Sequence, residues 1–185
     1  MIEELLEDAS RRMDKSVEAT AHEFNTVRTG RASAALLDRV KVDYYGQETP
    51  LNQLATINVP EARLLTIQPY DPSSIKAIER AIQESELGLT PSNDGKIVRL
   101  PIPQLTEERR KELVKVVRNL AEEGRVAIRN VRRDVMHHLK ELVREGDVGD
   151  DEERRAEERA QKLTDEHVAK VDELLKRKEE EILEV

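Results

Sequence analysis

Residues 105–144, LTEERRKELVKVVRNLAEEGRVAIRNVRRDVMHHLKELVR, constrain the chain more than any other stretch, because they contain no proline and one internal glycine, Gly124. At about 100° per residue, Leu113, Val117, Leu120, Ile128, Val131, Val135, Leu139 and Leu142 fall on one narrow stripe. A stripe of that length must be buried against other helices. Taking Ile128 as zero, Arg132, Arg125, Arg118, Arg129, Lys111, Lys140, Arg133, Lys115 and Arg144 fall between about 40° and 160°. Glu112, Glu123, Asp134, Glu141 and Glu145 fall between about 200° and 260°. The predicted helix has an apolar, a basic and an acidic face.

Two further segments carry the same pattern. Ile2, Leu5, Ala9, Met13, Val17, Ala21, Phe24 and Val27 recur at three-and-four spacing over residues 2–28, with Thr29 and Gly30 as a stop. Ala156, Ala160, Leu163, His167, Val171, Leu174 and Ile182 do so over 150–184, after a break at 145–149. None of the three can bury its stripe alone, which predicts a three-helix bundle. The central helix, at 1.5 Å per residue, makes that bundle a rod roughly 60 Å long. Charged residues reach 38% and aromatics only 2%, with Phe24 the single Phe and no Trp, so the cores must be aliphatic. Apolar periodicity inside every charged stretch argues against disorder.

From Arg31 to Gln104 the texture changes. Val40, Val42 and Tyr44 alternate into a turn at Tyr45 and Gly46. Apolar runs at 54–59 and 64–68 end at Pro60 and Pro69, which reads as two short strands. Asp71, Pro72 and Ser73 offer a helix start, and Ile75, Ile78 and Ile82 one buried face ending near Leu87 and Gly88. A turn at Asn93, Asp94 and Gly95 leads into a strand over 96–100. The expected fold class is α+β: an elongated three-helix bundle, residues 1–29 and 105–185, with a small module inserted at 31–103. Two linkers near 29–31 and 101–105 join the modules at one end. Thr29, Gly30 and Arg31 on one strand, and Pro101, Pro103, Gln104 and Leu105 on the other, are the candidate hinge residues.

Chemistry is sparse. His22, His137, His138 and His167 belong to no metal pattern, cysteine is absent, and no GxxxxGK[ST], GxGxxG or GxSxG occurs. No enzyme, cofactor or metal is expected. The first residues lack a signal peptide and no apolar run approaches a membrane span, so a soluble cytoplasmic protein without membrane partners is expected. The net charge is -8, yet residues 109–133 carry nine Lys or Arg against three Glu, while 150–184 carry eight against fourteen acids. Charged helix faces are commonly solvent coats held by local pairs. Here Arg125, Arg129, Arg132 and Arg133 follow one another with Glu122 the only acid intruding on that side of the helix, so local pairing cannot neutralise most of them. Arginine forks suit phosphate, and the scarcity of aromatics favours folded RNA over single strands.

The stretches VRTGRASAALLDRVKVDYYGQETPLNQLATINVPEARLLTIQPYD, LGLTPSNDGKIVRLPIPQLTEERRKELVK and RVAIRNVRRD strongly resemble the bacterial ribosome recycling factor family, and the similarity runs from Met1 to Val185. Ala34 departs from the proline expected there, which bears on local stiffness after the hinge. The resemblance implies an L-shaped, two-domain protein with a β/α/β module, no active site of its own and a monomeric state. It implies binding to the post-termination ribosome near the peptidyl-transferase centre, and splitting of the subunits with elongation factor G and GTP. Arg129 and Arg132 are then the main contacts to large-subunit rRNA, supported by Arg110, Arg133, Arg28 and Arg31, with Arg125 and Arg118 on the same stripe. The competing expectation is a helical adaptor or coiled-coil protein whose basic face docks an acidic protein.

Overall fold

The computed structural model describes residues 1–184. In chain order its elements are α1 (Ile2–Asn25), β1 (Lys41–Tyr44), β2 (Gln47–Pro50), the single turn α2 (Leu51–Leu54), β3 (Ala55–Glu61), β4 (Leu64–Pro69), α3 (Ile75–Glu84), β5 (Ser92–Asn93), β6 (Val98–Pro101), α4 (Glu107–Arg144) and α5 (Asp150–Leu183). They form two compact units: residues 1–28 with 107–184, and residues 29–106.

The first unit is a three-helix bundle in which α1, α4 and α5 each pack on the other two. With 38 residues, α4 is about 57 Å long. Its buried seam is Leu113, Val117, Ala121, Gly124, Ile128, Val131, Val135, Leu139 and Leu142. The expected Leu120 is only half-buried, and Ala121 and Gly124 take its place where helices approach closely. On α1 the buried residues are Leu6, Ala9, Met13, Thr20 and Phe24, so the true seam is displaced from the predicted Ile2, Leu5, Val17 and Ala21. Thr20 can be buried because its hydroxyl donates to the Ser16 carbonyl at 2.9 Å. That helix also stops at Asn25, short of residue 28, where the Thr26 hydroxyl donates to the Glu23 carbonyl at 2.7 Å.

Between α4 and α5 the chain reverses through a Schellman motif. Gly146, at φ +82, donates its N–H to the Val143 carbonyl, and Asp147 to the Leu142 carbonyl. Four acids, Asp150, Asp151, Glu152 and Glu153, occupy the first turn of α5, where they suit the helix dipole. His167 of α5 is buried, with Nδ1 2.6 Å from the Leu163 carbonyl oxygen and Nε2 2.7 Å from Asp14 Oδ1 of α1. The ring is thereby fixed as an inter-helix tie.

The second unit holds an antiparallel β1–β2 hairpin and a four-stranded antiparallel sheet in the order β3-β4-β6-β5. Its core is aliphatic: Leu37, Val42, Leu51, Leu65, Ile67, Ile78, Ile82, Val98 and Leu100 among others. Tyr45 and Gly46 sit at φ +50 and +81, the left-handed pair that a two-residue hairpin turn requires. Asp71 caps the turn entering α3, accepting from the Ser73 N–H at 3.0 Å.

Several boundaries differ from the sequence expectation, each for a physical reason. β3 continues through Pro60 to Glu61, because it is an edge strand and its register shifts between Asn58 and Glu61. β6 starts at Val98 because Asp94 Oδ1 accepts the N–H groups of Lys96 and Ile97, at 3.0 and 2.8 Å, and keeps them in the turn. The short β2, β5 and α2 have too little apolar period to be seen in sequence. α3 ends at Glu84, ahead of the expected stop near Leu87.

Candidate nucleic-acid interface

The basic face of α4 lies beside α5, and α5 answers it with acids. Arg118 Nε donates to Glu179 Oε1 at 2.6 Å, and Arg125 Nε to Asp172 Oδ1 at 2.8 Å. Glu122 accepts from Arg125 Nη1 and Arg129 Nη1, both at 3.1 Å. The expectation that Glu122 alone opposes these arginines is therefore corrected. Helical neighbours on α4 gave no sign of acids arriving from another helix.

The arginines fall into distinct environments. Arg125 is the most enclosed of the paired ones, with a side chain 19% exposed and a carboxylate on each side. Burial pulls its pKa down, but the bonds to Asp172 and Glu122 outweigh this and raise it. Glu122 is correspondingly held below the usual carboxylate range, first by the hydrogen bond from Arg129 and then by that from Arg125. Arg132 differs: its Nη1 donates to the neutral Gln161 Oε1 at 2.9 Å, and Gln161 Nε2 donates in turn to Asp165 Oδ1 at 2.9 Å. Arg133 is exposed and makes no hydrogen bond or ion pair among the described residues. Arg28, which ends the first unit's amino-terminal segment, is exposed and equally unpaired among them. Arg110 has a buried Nε with no hydrogen-bond partner. The free charge of this face is concentrated at Arg132 and Arg133, with Arg129 shared.

The candidate hinge residues and Arg31 lie in the second unit. Gly30 has φ +77, and a β-carbon there would stand 3.0 Å from Leu105 Cγ, so the two chain segments touch at this point. Both are also stitched to one turn: Ala32 N–H donates to the Ala62 carbonyl at 2.7 Å and Ile102 N–H to the Arg63 carbonyl at 2.8 Å. Pro101 ends β6 opposite Leu64, while Pro103 and Gln104 are exposed and Thr29 is half-buried.

The histidines are dispersed: His137 Nε2 lies 3.2 Å from Glu141, while His22 and His138 are exposed. No group of metal-ligating side chains is assembled among the described residues, and no helix among them is long and apolar enough to cross a membrane.

The family model described as ribosome recycling factor matches residues 20–183. The chain belongs to the ribosome recycling factor family. It is 59% identical to the ribosome-recycling factor of Rubrobacter xylanophilus, over 97% of each chain. It is 57% identical to that of Bacillus pumilus over the full length of both. A solution structure of the ribosome recycling factor aligns over 100% of this chain and 98% of that one, with TM-score 0.74 and 43% identity. The Thermus thermophilus ribosome recycling factor, in models with Escherichia coli elongation factor G bound to the E. coli post-termination complex, aligns over 99% of both chains with TM-score 0.65 and 51% identity. The bundle and the small sheet unit are thus those of ribosome recycling factors. Sequence reasoning missed Asp172, Glu179 and Gln161 as members of the arginine face. A signal existed: Arg118 and Arg125 are seven residues apart, as are Asp172 and Glu179, which is the repeat expected of two antiparallel helices.

Proposed function

We propose that this protein binds the post-termination ribosome and, with elongation factor G and GTP, separates the subunits so that mRNA and tRNA leave and the ribosome is recycled. The full-length likeness to a factor described together with elongation factor G on a post-termination complex carries this reading. The bundle grips large-subunit rRNA near the peptidyl-transferase centre through phosphates. Arg132, Arg133 and Arg129 are the principal contacts, Arg110, Arg28 and Arg31 extend the footprint, and Arg118 and Arg125 lend charge from their pairs with α5. Phosphate contacts of this kind make affinity fall steeply with salt.

The protein is not an enzyme and holds no cofactor; the energy of GTP enters through the partner GTPase. It acts in the cytoplasm as a monomer. The segments 29–31 and 101–105 form a double-stranded hinge between the bundle and the inserted domain. Gly30 supports this assignment, since its left-handed backbone would strain any other residue and a β-carbon there would press on the Leu105 side chain. Light scattering of ribosomes with elongation factor G and GTP tests the function: the added protein should accelerate subunit dissociation, and an unchanged signal overturns the reading. For the hinge, Gly30→Ala should slow splitting while ribosome co-sedimentation persists.

A further inference from the structure

The pairs between α4 and α5 form a ladder with a fixed step. Arg118 meets Glu179, and seven residues further along α4, Arg125 meets Asp172, seven residues back along α5. The same step again sets Arg132 against Asp165. A third ion pair would complete the series, but Gln161 stands between the two, accepting from Arg132 and donating to Asp165, each at 2.9 Å. One turn of α5 separates Gln161 from Asp165, so its amide can reach the carboxylate of its own helix and occupy one of that group's acceptor oxygens.

We propose that Gln161 is a positioning residue that withholds Asp165 from Arg132, and so keeps a fully charged guanidinium oriented for an RNA phosphate. This rests on the rRNA grip proposed above. The amide is suited to the task on two counts. Its carbonyl oxygen fixes the orientation of Arg132 without neutralising it, whereas a carboxylate at that place would form the pair seen at Arg118 and Arg125. Its NH2 group simultaneously engages Asp165, which would otherwise be the nearest acid in the ladder. Orientation by a neutral acceptor leaves four of the five guanidinium N–H groups for a ligand. Phosphate then has no competing anion to displace at this rung, while it must displace Glu179 at Arg118 and two carboxylates at Arg125.

The test uses the full chain and purified 70S ribosomes, with affinity measured by co-sedimentation across a salt series and folding followed by circular dichroism. Gln161→Ala should let Arg132 close on Asp165, weakening binding roughly three- to tenfold at moderate salt and lowering the salt slope by about one contact. Asp165→Asn in the Gln161→Ala background should restore both affinity and slope, a rescue that a merely structural role for Gln161 would not produce. Gln161→Glu should weaken binding in the same way. Arg132→Ala is the reference. If it weakens binding but Gln161→Ala leaves affinity and slope unchanged, or the Asn rescue fails in a folded protein, this inference is overturned while the rRNA grip stands. If Arg132→Ala itself has no effect, the grip and this inference both fall.

Discussion

Gly124 of α4 faces Thr20 of α1 so closely that a β-carbon at Gly124 would overlap the threonine hydroxyl and come 3.3 Å from its Cβ. A helix interior would ordinarily gain about 1 kcal/mol from Gly→Ala. Here the overlap reverses the sign, since Thr20 is buried and its hydroxyl is already committed to Ser16. Gly124→Ala is expected to destabilise the bundle by roughly 1–3 kcal/mol in urea denaturation. Thr20→Ala in the same chain should recover most of that loss, and a lack of coupling between the two changes would refute the close contact.

Arg125 and Arg133 should separate fold from function. Arg125 is largely enclosed between Asp172 and Glu122, so Arg125→Gln is expected to lower stability by about 1–2 kcal/mol. Arg133 is exposed and unpaired among the described residues, so Arg133→Gln should change stability by less than about 0.5 kcal/mol yet weaken ribosome binding. Chemical denaturation and co-sedimentation on the same two variants check this division.

Glu122 holds Arg129 in the free protein. Removing its charge with Glu122→Gln should release Arg129 for phosphate, tighten ribosome binding and steepen the salt dependence by about one contact. Weaker binding by this variant would mean that Glu122 orients Arg129 and does not compete for it.

The turn at Asp94 gives the second unit an acid-sensitive element. The N–H groups of Ile97 and Lys96, followed by Arg99, hold the Asp94 carboxyl at a pKa of about 2, down from 3.8. Because the folded value is depressed, its stabilisation is complete above about pH 4 and is lost as pH falls toward 2. The three tyrosines, Tyr44, Tyr45 and Tyr70, all lie in the second unit and report on it optically. Denaturation followed by tyrosine fluorescence should lose stability across that window, and Asp94→Asn should flatten that part of the profile.

The long helices were legible because a 3.6-residue period sustained over 24 to 38 residues leaves few alternatives, and so were the strands with strong apolar runs. What escaped were features whose cause lies in another part of the chain. Thr20 is absent from the apolar period over residues 2–28, and its burial is explained only by Gly124 opposite. Pro60 reads as a strand end until β3 proves to be an edge. The arginine face reads as a uniform charge stripe until the register of α5 brings Asp172 and Glu179 against two of its members and Gln161 against a third. Inter-helix register depends on the loop and caps between α4 and α5, and sequence periodicity alone does not specify it.

The acids of α5 also bear on how a factor of this kind finds its target. tRNA, mRNA and ribosome surfaces away from the proposed target all expose the same phosphates. A bare row of arginines would be titrated by all of them. With Arg118 and Arg125 already answered from within the bundle, random polyanions meet a muted surface. On the proposed rRNA grip, a site whose phosphates match the spacing of the remaining guanidinium groups would gain enough to retain the protein, leaving it free to search, dwell briefly and depart.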